Sequence, residues 1–302
     1  NRGKIDKLNG SSFWQSSSWA GTAAAGIEDF LVEEGGRLGE VYGYKTDGFY
    51  TADDFTFDAE KGTYALKAGV NDCSSLIGGK VYPGSIKLKA NEDGEYKKER
   101  LGNTVPTVSG GFGLNARWKG FDFTAFFNYS LGNKIVNATK LGSSFYSGSS
   151  KNWNINDHFT SANRYSWIDP STGTNLLSSA SIKANGEAWT LNRLNEVNTG
   201  SSIWNPAAAT VMPLVDWAVE DGSFLRVNNI TIGYTLPKLF VSKLNIQNIR
   251  IYVTGYNLHC FTKYSGTDPE VDCCTSTPMT PGIDYAAYPK SRSFVGGINV
   301  TF

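Results

Sequence analysis

The sequence predicts an all-β chain forming one arc of a transmembrane antiparallel β-barrel, and three observations predict it. Apolar and polar residues alternate with period two in several separate segments, which is the strand signature. The connections between those segments are by turns very short and very long. The composition is rich in glycine and aromatics, with 33 Gly, 15 Tyr, 17 Phe and 8 Trp among 302 residues.

Bulk properties exclude other classes. The 28 basic and 28 acidic residues cancel, so no nucleic-acid partner is expected. No apolar run approaches the length of about 18 residues that a membrane-spanning helix needs. The mean hydropathy of −0.29 is compatible with a barrel, because half of each strand faces the lumen. The opening Asn1-Arg2-Gly3-Lys4-Ile5 reads like the interior of a longer sequence.

A first strand is expected around residues 36–50, with the end of an earlier one at 1–8. The clearest unit follows. Val108, Gly110, Phe112, Leu114, Ala116 and Trp118 alternate with Ser109, Gly111, Gly113, Asn115 and Arg117; Phe121, Phe123, Ala125, Phe127 and Tyr129 then alternate with Asp122, Thr124, Phe126 and Asn128. A two-residue Lys119-Gly120 turn suits type I′ geometry. It pairs Trp118 with Phe121, so the apolar parity must switch from even to odd across it, and it does. The same register sets Phe112 opposite Phe127 and lays Tyr129 over Gly110, an aromatic covering a glycine. On the polar face it sets Arg117 opposite Asp122 and Asn115 opposite Thr124.

Ile230, Ile232, Tyr234 and Leu236 share a face of the next strand, which Pro237 stops because proline cannot donate to a ladder. Residues 238–244 have room for one or two helical turns. Alternation resumes through Ile249, Ile251 and Val253, and a last strand carries Phe294, Ile298, Val300 and the terminal aromatic Phe302 on one side and Asn299 and Thr301 on the other. The count is six strands with part of a seventh, and closed membrane barrels begin at about eight. Such a chain is expected to need further strands to close.

This reading sorts the residues. The lipid-facing set is Phe112, Leu114, Trp118, Phe121, Phe123, Phe127, Ile230, Ile232, Tyr234, Ile298 and Val300; the lumen-facing set is Asn115, Arg117, Asp122, Thr124 and Asn128. Short turns at 119–120 and 237–248 fit the periplasmic side, and long loops at about 51–105, 131–221 and 262–290 fit the extracellular side. Trp153, Trp167, Trp189 and Trp204, in the longest loop, are candidates for contacts with cargo or partner, or for a small core of the loop itself.

Particular strings then resemble one family. Val41-Tyr42-Gly43-Tyr44-Lys45-Thr46-Asp47-Gly48 is similar to the YGYKxDG strand of SusC-like TonB-dependent transporters of the Bacteroidetes outer membrane. Tyr82-Pro83-Gly84-Ser85-Ile86-Lys87 resembles their PGDIKY, and Leu101-Gly102-Asn103-Thr104-Val105-Pro106 their IGNxxP. The run from Phe224 to Pro237 resembles RLKNITLGYTLP, and Tyr256 to Glu270 resembles NLFTFTKYxGxDPE. The matches cover nearly the whole chain in family order.

The resemblance implies a barrel of about 22 strands around a plug, with the plug outside this chain. It also implies contact with TonB through a segment not present here, a SusD-like surface lipoprotein as lid, and import of a large nutrient, an oligosaccharide or oligopeptide. It further implies that the strand ending at Phe302 is the assembly signal read by the insertion machinery.

One departure stands out. Relatives carry DxNGDG after PGDIKY, like a calcium loop that needs carboxylates at its first and last positions. Here Lys89 and Arg100 occupy those positions, so no bound calcium is expected.

No catalytic constellation is expected. His158 and His259 stand in no motif, and Gly110-Gly111-Phe112-Gly113 lacks the helix that would hold a phosphate. Asp53-Asp54 and Glu33-Glu34 read as solvated pairs, and no cofactor is implied. Among the cysteines, export through an oxidising compartment is compatible with Cys260 pairing to Cys273 or Cys274, and Cys73 to the remaining one. The competing reading is a secreted soluble β-sandwich that binds carbohydrate. It requires the aromatic face to be buried against a second sheet.

Overall fold

Strict side-chain alternation produces strict pairing. The computed structural model describes residues 3–15, 28–146, 154–241, 246–270, 272–273 and 279–302. Its largest sheet consists of β1 (Val108–Trp118), β2 (Phe121–Leu131), β3 (Phe224–Thr235), β4 (Asn248–Thr262) and β5 (Ser293–Thr301). They lie side by side in the order β5-β4-β3-β2-β1, and every neighbouring pair is antiparallel.

Lys119 and Gly120 take φ of 47° and 90°, the positive values a type I′ turn demands. Across the turn Trp118 is opposite Phe121, Arg117 opposite Asp122, Asn115 opposite Thr124 and Phe112 opposite Phe127, which is the register the alternation requires. The apolar row continues from Phe121 to Tyr234, then Ile251, then Ile298. Asn228 is an extra residue in β3, and β4 answers it with Asn257 at φ 49°. Bulges of this kind sharpen the local twist.

Among the described residues no sixth strand joins this sheet, so β1 and β5 are open edges and the arc does not close. The strand expected around residues 36–50 is a correction. That segment makes two short strands, Glu40–Gly43 and Thr46–Phe49, in other small sheets. The reason is burial: Val41 and Tyr50 are fully buried in a separate core. Gly43 also sits so near the Leu214 carbonyl that a Cβ would approach it to 2.5 Å. Residues 3–8 form no strand, although Ile5 exchanges backbone hydrogen bonds with residues 35 and 36.

Pro237 ends β3, and Lys238–Val241 makes one helical turn; residues 242–244 of the expected helical stretch lie outside the described residues. The connections 132–223 and 263–292 both leave the sheet at the end opposite Lys119-Gly120, as the strand directions require.

Those connections are not structureless. Together with residues 30–88 they enclose a core in which Ile77, Ile86, Leu141, Ile182 and Leu194 are fully buried. Two helices, α1 (Ser179–Asn185) and α2 (Glu187–Val197), belong to it. Ser178 caps α1 by accepting from Ser181 N at 3.2 Å, which satisfies a donor that a helix N-terminus leaves unpaired. Among the described residues no helix is long and apolar enough to cross a membrane, which says nothing of strands.

Candidate functional site

The two faces of the five-stranded wall differ in chemistry. On one, Phe112, Leu114, Trp118, Phe121, Ile232, Ile298 and Val300 are exposed, while Phe123, Phe127, Ile230 and Tyr234 on the same face are half-buried by their neighbours. Trp118 and Ile298 retain 68% and 65% of their surface. Among the described residues no second sheet covers this face. It is continuous across the strands: the Phe112 and Phe127 rings stack with centroids 4.9 Å apart, and Phe121 lies 4.5 Å from Tyr234. Ile251, Val253, Phe261 and Phe294 extend it. The alternation of β4 and β5 was the available signal for these four.

The opposite face carries Asn115, Arg117, Asp122, Thr124 and Asn128. Thr124 Oγ1 donates to Asn115 Oδ1 at 3.0 Å, and the Thr231 and Thr254 hydroxyls meet at 2.8 Å.

The ion pair on this face differs from the one the hairpin register suggests. Arg117 lies opposite Asp122 in register, yet Asp122 bonds Arg250, whose Nε and Nη2 reach its two oxygens at 2.8 and 2.5 Å. Arg250 stands on β4, with β3 between it and Asp122. It crosses because the intervening position is Gly233, where a Cβ would lie 2.5 Å from both Arg250 Nη2 and Asp122 Oδ1. Adjacent-strand reasoning cannot see a pair that skips a strand.

A second ionic group lies on the same face near the loops. Arg226, only 5% exposed, donates through Nη2 to Asp268 at 2.5 Å, and its Nε contacts Glu270. Glu270 also accepts from Asn128 Nδ2 at 3.0 Å and pairs with Lys290 at 2.9 Å. A buried guanidinium needs such partners, because an unpaired buried charge is strongly unfavourable. The cluster fixes the start of the 263–292 connection to the wall.

The loop tryptophans divide. Trp204 is 4% exposed, with Nε1 donating to Ser144 O at 3.1 Å and rings of Phe159 and Trp217 at 5.4 and 5.0 Å. Trp167 is half-buried and donates to Pro83 O at 2.6 Å. Trp189 is exposed on α2, and Trp153 lies outside the described residues. Trp204 thus serves the loop's own core, and Trp189 alone of the three described presents an open ring.

Cys73 and Cys260 are free thiols; Cys73 is buried, with Tyr50 Oη at 3.4 Å, and Cys274 lies outside the described residues. Asn91 Oδ1 accepts from Asp93 N at 3.1 Å and Glu95 N at 2.7 Å, so the segment after the PGDIKY-like motif closes on its own backbone.

No family model matches the chain. TonB-dependent receptor P3 of Formosa agariphila is 30% identical over 277 residues, 90% of this chain and 23% of that protein. TonB-dependent receptor P39 of the same organism is 26% identical over 302 residues, 90% of this chain and 26% of that protein. TonB-dependent receptor SusC of Bacteroides thetaiotaomicron is 34% identical over 89 residues, 29% of this chain. Among solved structures, the RagAB peptide importer in its open-open state superposes with a TM-score of 0.54 at 19% identity, over 99% of this chain and 25% of that one. The RagAB peptide transporter gives 0.51 at 20% identity. At such identities the superposition shows the fold, a part of that barrel. The sequence relation and the aligned wall lead to one statement: the chain is homologous to SusC/RagA-type TonB-dependent receptors and spans about a quarter of their length.

Proposed function

We propose that the chain forms part of the barrel wall and the extracellular loops of an outer-membrane importer of a Gram-negative bacterium. The importer is energised through TonB and takes up a large nutrient, an oligopeptide or oligosaccharide, together with a SusD-like lipoprotein lid. One observation carries this reading: the wall leaves its apolar face bare and keeps its ion pairs on the other. In water that arrangement is unfavourable, since apolar surface gains from removal from water. Against lipid it is the stable one, with a polar lumen behind it.

In this role the wall performs no covalent chemistry. The Asp122–Arg250 pair holds three strands in register from the lumen side, and the Arg226 cluster ties a loop to the wall. The loops and the partner lid supply cargo contacts, with Trp189 as an exposed ring for stacking. The RagAB match, whose name describes a peptide importer, favours peptide as cargo.

The test uses the full-length receptor expressed in its own outer membrane. Ile232→Arg places a charge on the bare face, where barrels lose about 2–4 kcal/mol near the bilayer midplane. Heat-modifiable, surface-exposed protein is expected to fall severalfold, with Thr231→Ser as a lumen-side control at wild-type level. Normal assembly of Ile232→Arg would refute a lipid-facing wall. Cross-links from a co-purifying lipoprotein are expected at 131–221 or 262–290; cross-links at 237–248 would invert the topology.

A further inference from the structure

At the loop end the apolar face is not flat. Just beyond the Asn228 bulge it opens into a groove of about 850 Å³. Its floor is Phe112, Tyr129, Leu225 and Phe261, all on the bare face. Two features create the hollow. The paired irregularities at Asn228 and Asn257 twist the wall there, and Tyr129 lies down over Gly110, where a Cβ would meet its ring at 3.2 Å. Towards the loops the lining changes character, to Ser223, Asp221 and Lys263.

The rim has spare positive charge. Asp221 already accepts from Ser223 N at 3.0 Å, and the charges of Lys134 and Lys263 both act on it. Lys134 stands opposite Asp221 in strand register and Lys263 lines the groove beside it, so two ammonium groups flank one carboxylate, and among the described residues Lys263 has no ion pair. An apolar trough open along the wall, with a cationic edge at one end only, matches an amphiphile whose chain lies on the wall and whose head carries negative charge.

We propose that this groove binds an acyl lipid of the outer leaflet whose phosphate head carries net negative charge, its chain on Phe112, Leu225 and Phe261 and its phosphate at Lys263. The assignment rests on the proposed lipid-facing wall and adds a specific lipid site to it. The groove is continuous with that face, so the occupant shares its solvent; a soluble peptide or sugar would have to cross lipid to reach the floor.

The experiment titrates purified full-length receptor, in a neutral detergent, with dioleoyl phosphatidic acid and separately with dioleoyl phosphatidylcholine, and counts retained lipids by native mass spectrometry. Wild type is expected to retain the phosphatidic acid preferentially. Lys263→Glu should lower its retention about tenfold and leave the phosphatidylcholine level unchanged. Leu225→Trp, which fills the trough, should reduce both. Lys119→Glu, at the opposite end of the wall, should change neither. Equal retention of the two lipids by wild type, or equal effects of Lys263→Glu and Lys119→Glu, would overturn the site. So would a stable receptor dimer that Leu225→Trp dissociates, because the groove would then be an interface between copies. Failure of the underlying reading is distinguishable: the wild-type receptor would then not be recovered as a heat-modifiable barrel at all.

Discussion

The wall and the loop body are built from the same residue types with opposite sense of burial. In the loop body Tyr50, Leu176, Ile182, Leu194 and Met212 are enclosed, and charged groups such as Glu95 and Lys97 lie outside. In the wall Phe121, Ile232 and Ile298 stand bare, while Arg226 is enclosed against Asp268 of the 263–292 connection. The contrast teaches what each region is solvated by. A core that hides apolar side chains has water around it; under the proposed function, a sheet that encloses its ions and presents apolar side chains has an apolar surrounding and an aqueous interior.

The largest expected effect comes from trading one buried and one bare aromatic. Trp204→Ala empties a site between Phe159 and Trp217 and is expected to destabilise the loop body by about 3–5 kcal/mol. Phe121→Ala removes a ring that is 51% exposed and contacts chiefly Tyr234, with an expected loss of about 0.5–1.5 kcal/mol. Limited proteolysis of the full-length receptor in detergent, at graded urea, should show early cleavage within 131–221 for the first variant and a wild-type pattern for the second. Equal sensitivity would break the comparison, since it would mean that the wall's aromatics are packed like a core.

This division was half legible in the sequence. The β1–β2 hairpin was readable to the residue because period two and a type I′ turn leave a single register. The loop body was not, because its core is assembled from short pieces with no shared period: Phe30 and Val41 from small strands, Ile77 from a single helical turn, Leu194 from α2. In the sequence these stretches read only as long loops, and the tryptophans alone hinted at a core. At the site, the bare face followed from alternation. Arg250 and Arg226 did not, because one pairs across an intervening strand and the other with residues about 40 positions away in sequence.

A middle-sized effect tests the polar side of the wall. Gly233→Ala puts a methyl group where Arg250 and Asp122 meet, so the pair must part or the strand must shift. The expected cost is about 1.5–3 kcal/mol, the range of a hydrogen bond between charged groups. Refolded yield of the full-length receptor into bilayers, measured by heat modifiability against urea, checks it. In an Asp122→Asn background the added cost of Gly233→Ala should shrink, because the interaction it breaks is already weakened. Undiminished additivity would assign the glycine to backbone conformation alone and leave the crossing pair without energetic weight.

The smallest effect belongs to the loop body and depends on pH. Asp169 accepts from Arg193 Nε and Nη2, both at 2.7 Å, and from Ser171 Oγ at 2.6 Å and Ser171 N at 2.9 Å. The Arg193 bonds, and after them those from Ser171, hold its carboxyl well below the usual carboxylate range. Arg193 is on α2, so this contact ties the helix to the 169–174 turn. A carboxyl depressed in the folded state binds fewer protons there than in the unfolded chain. Its stabilisation is therefore fully present above the unfolded value of about 3.9, and it is lost as pH falls from there towards the depressed folded value. Amide hydrogen exchange along Glu187–Val197, corrected for intrinsic rates, should show protection that is flat from neutral pH to about 5 and declines below about 4. Asp169→Asn should lower protection at neutral pH and remove most of that decline. A decline of the same size in Asp169→Asn would shift the acid sensitivity to other carboxylates, and the loop body would then owe its fixed helix to apolar packing alone.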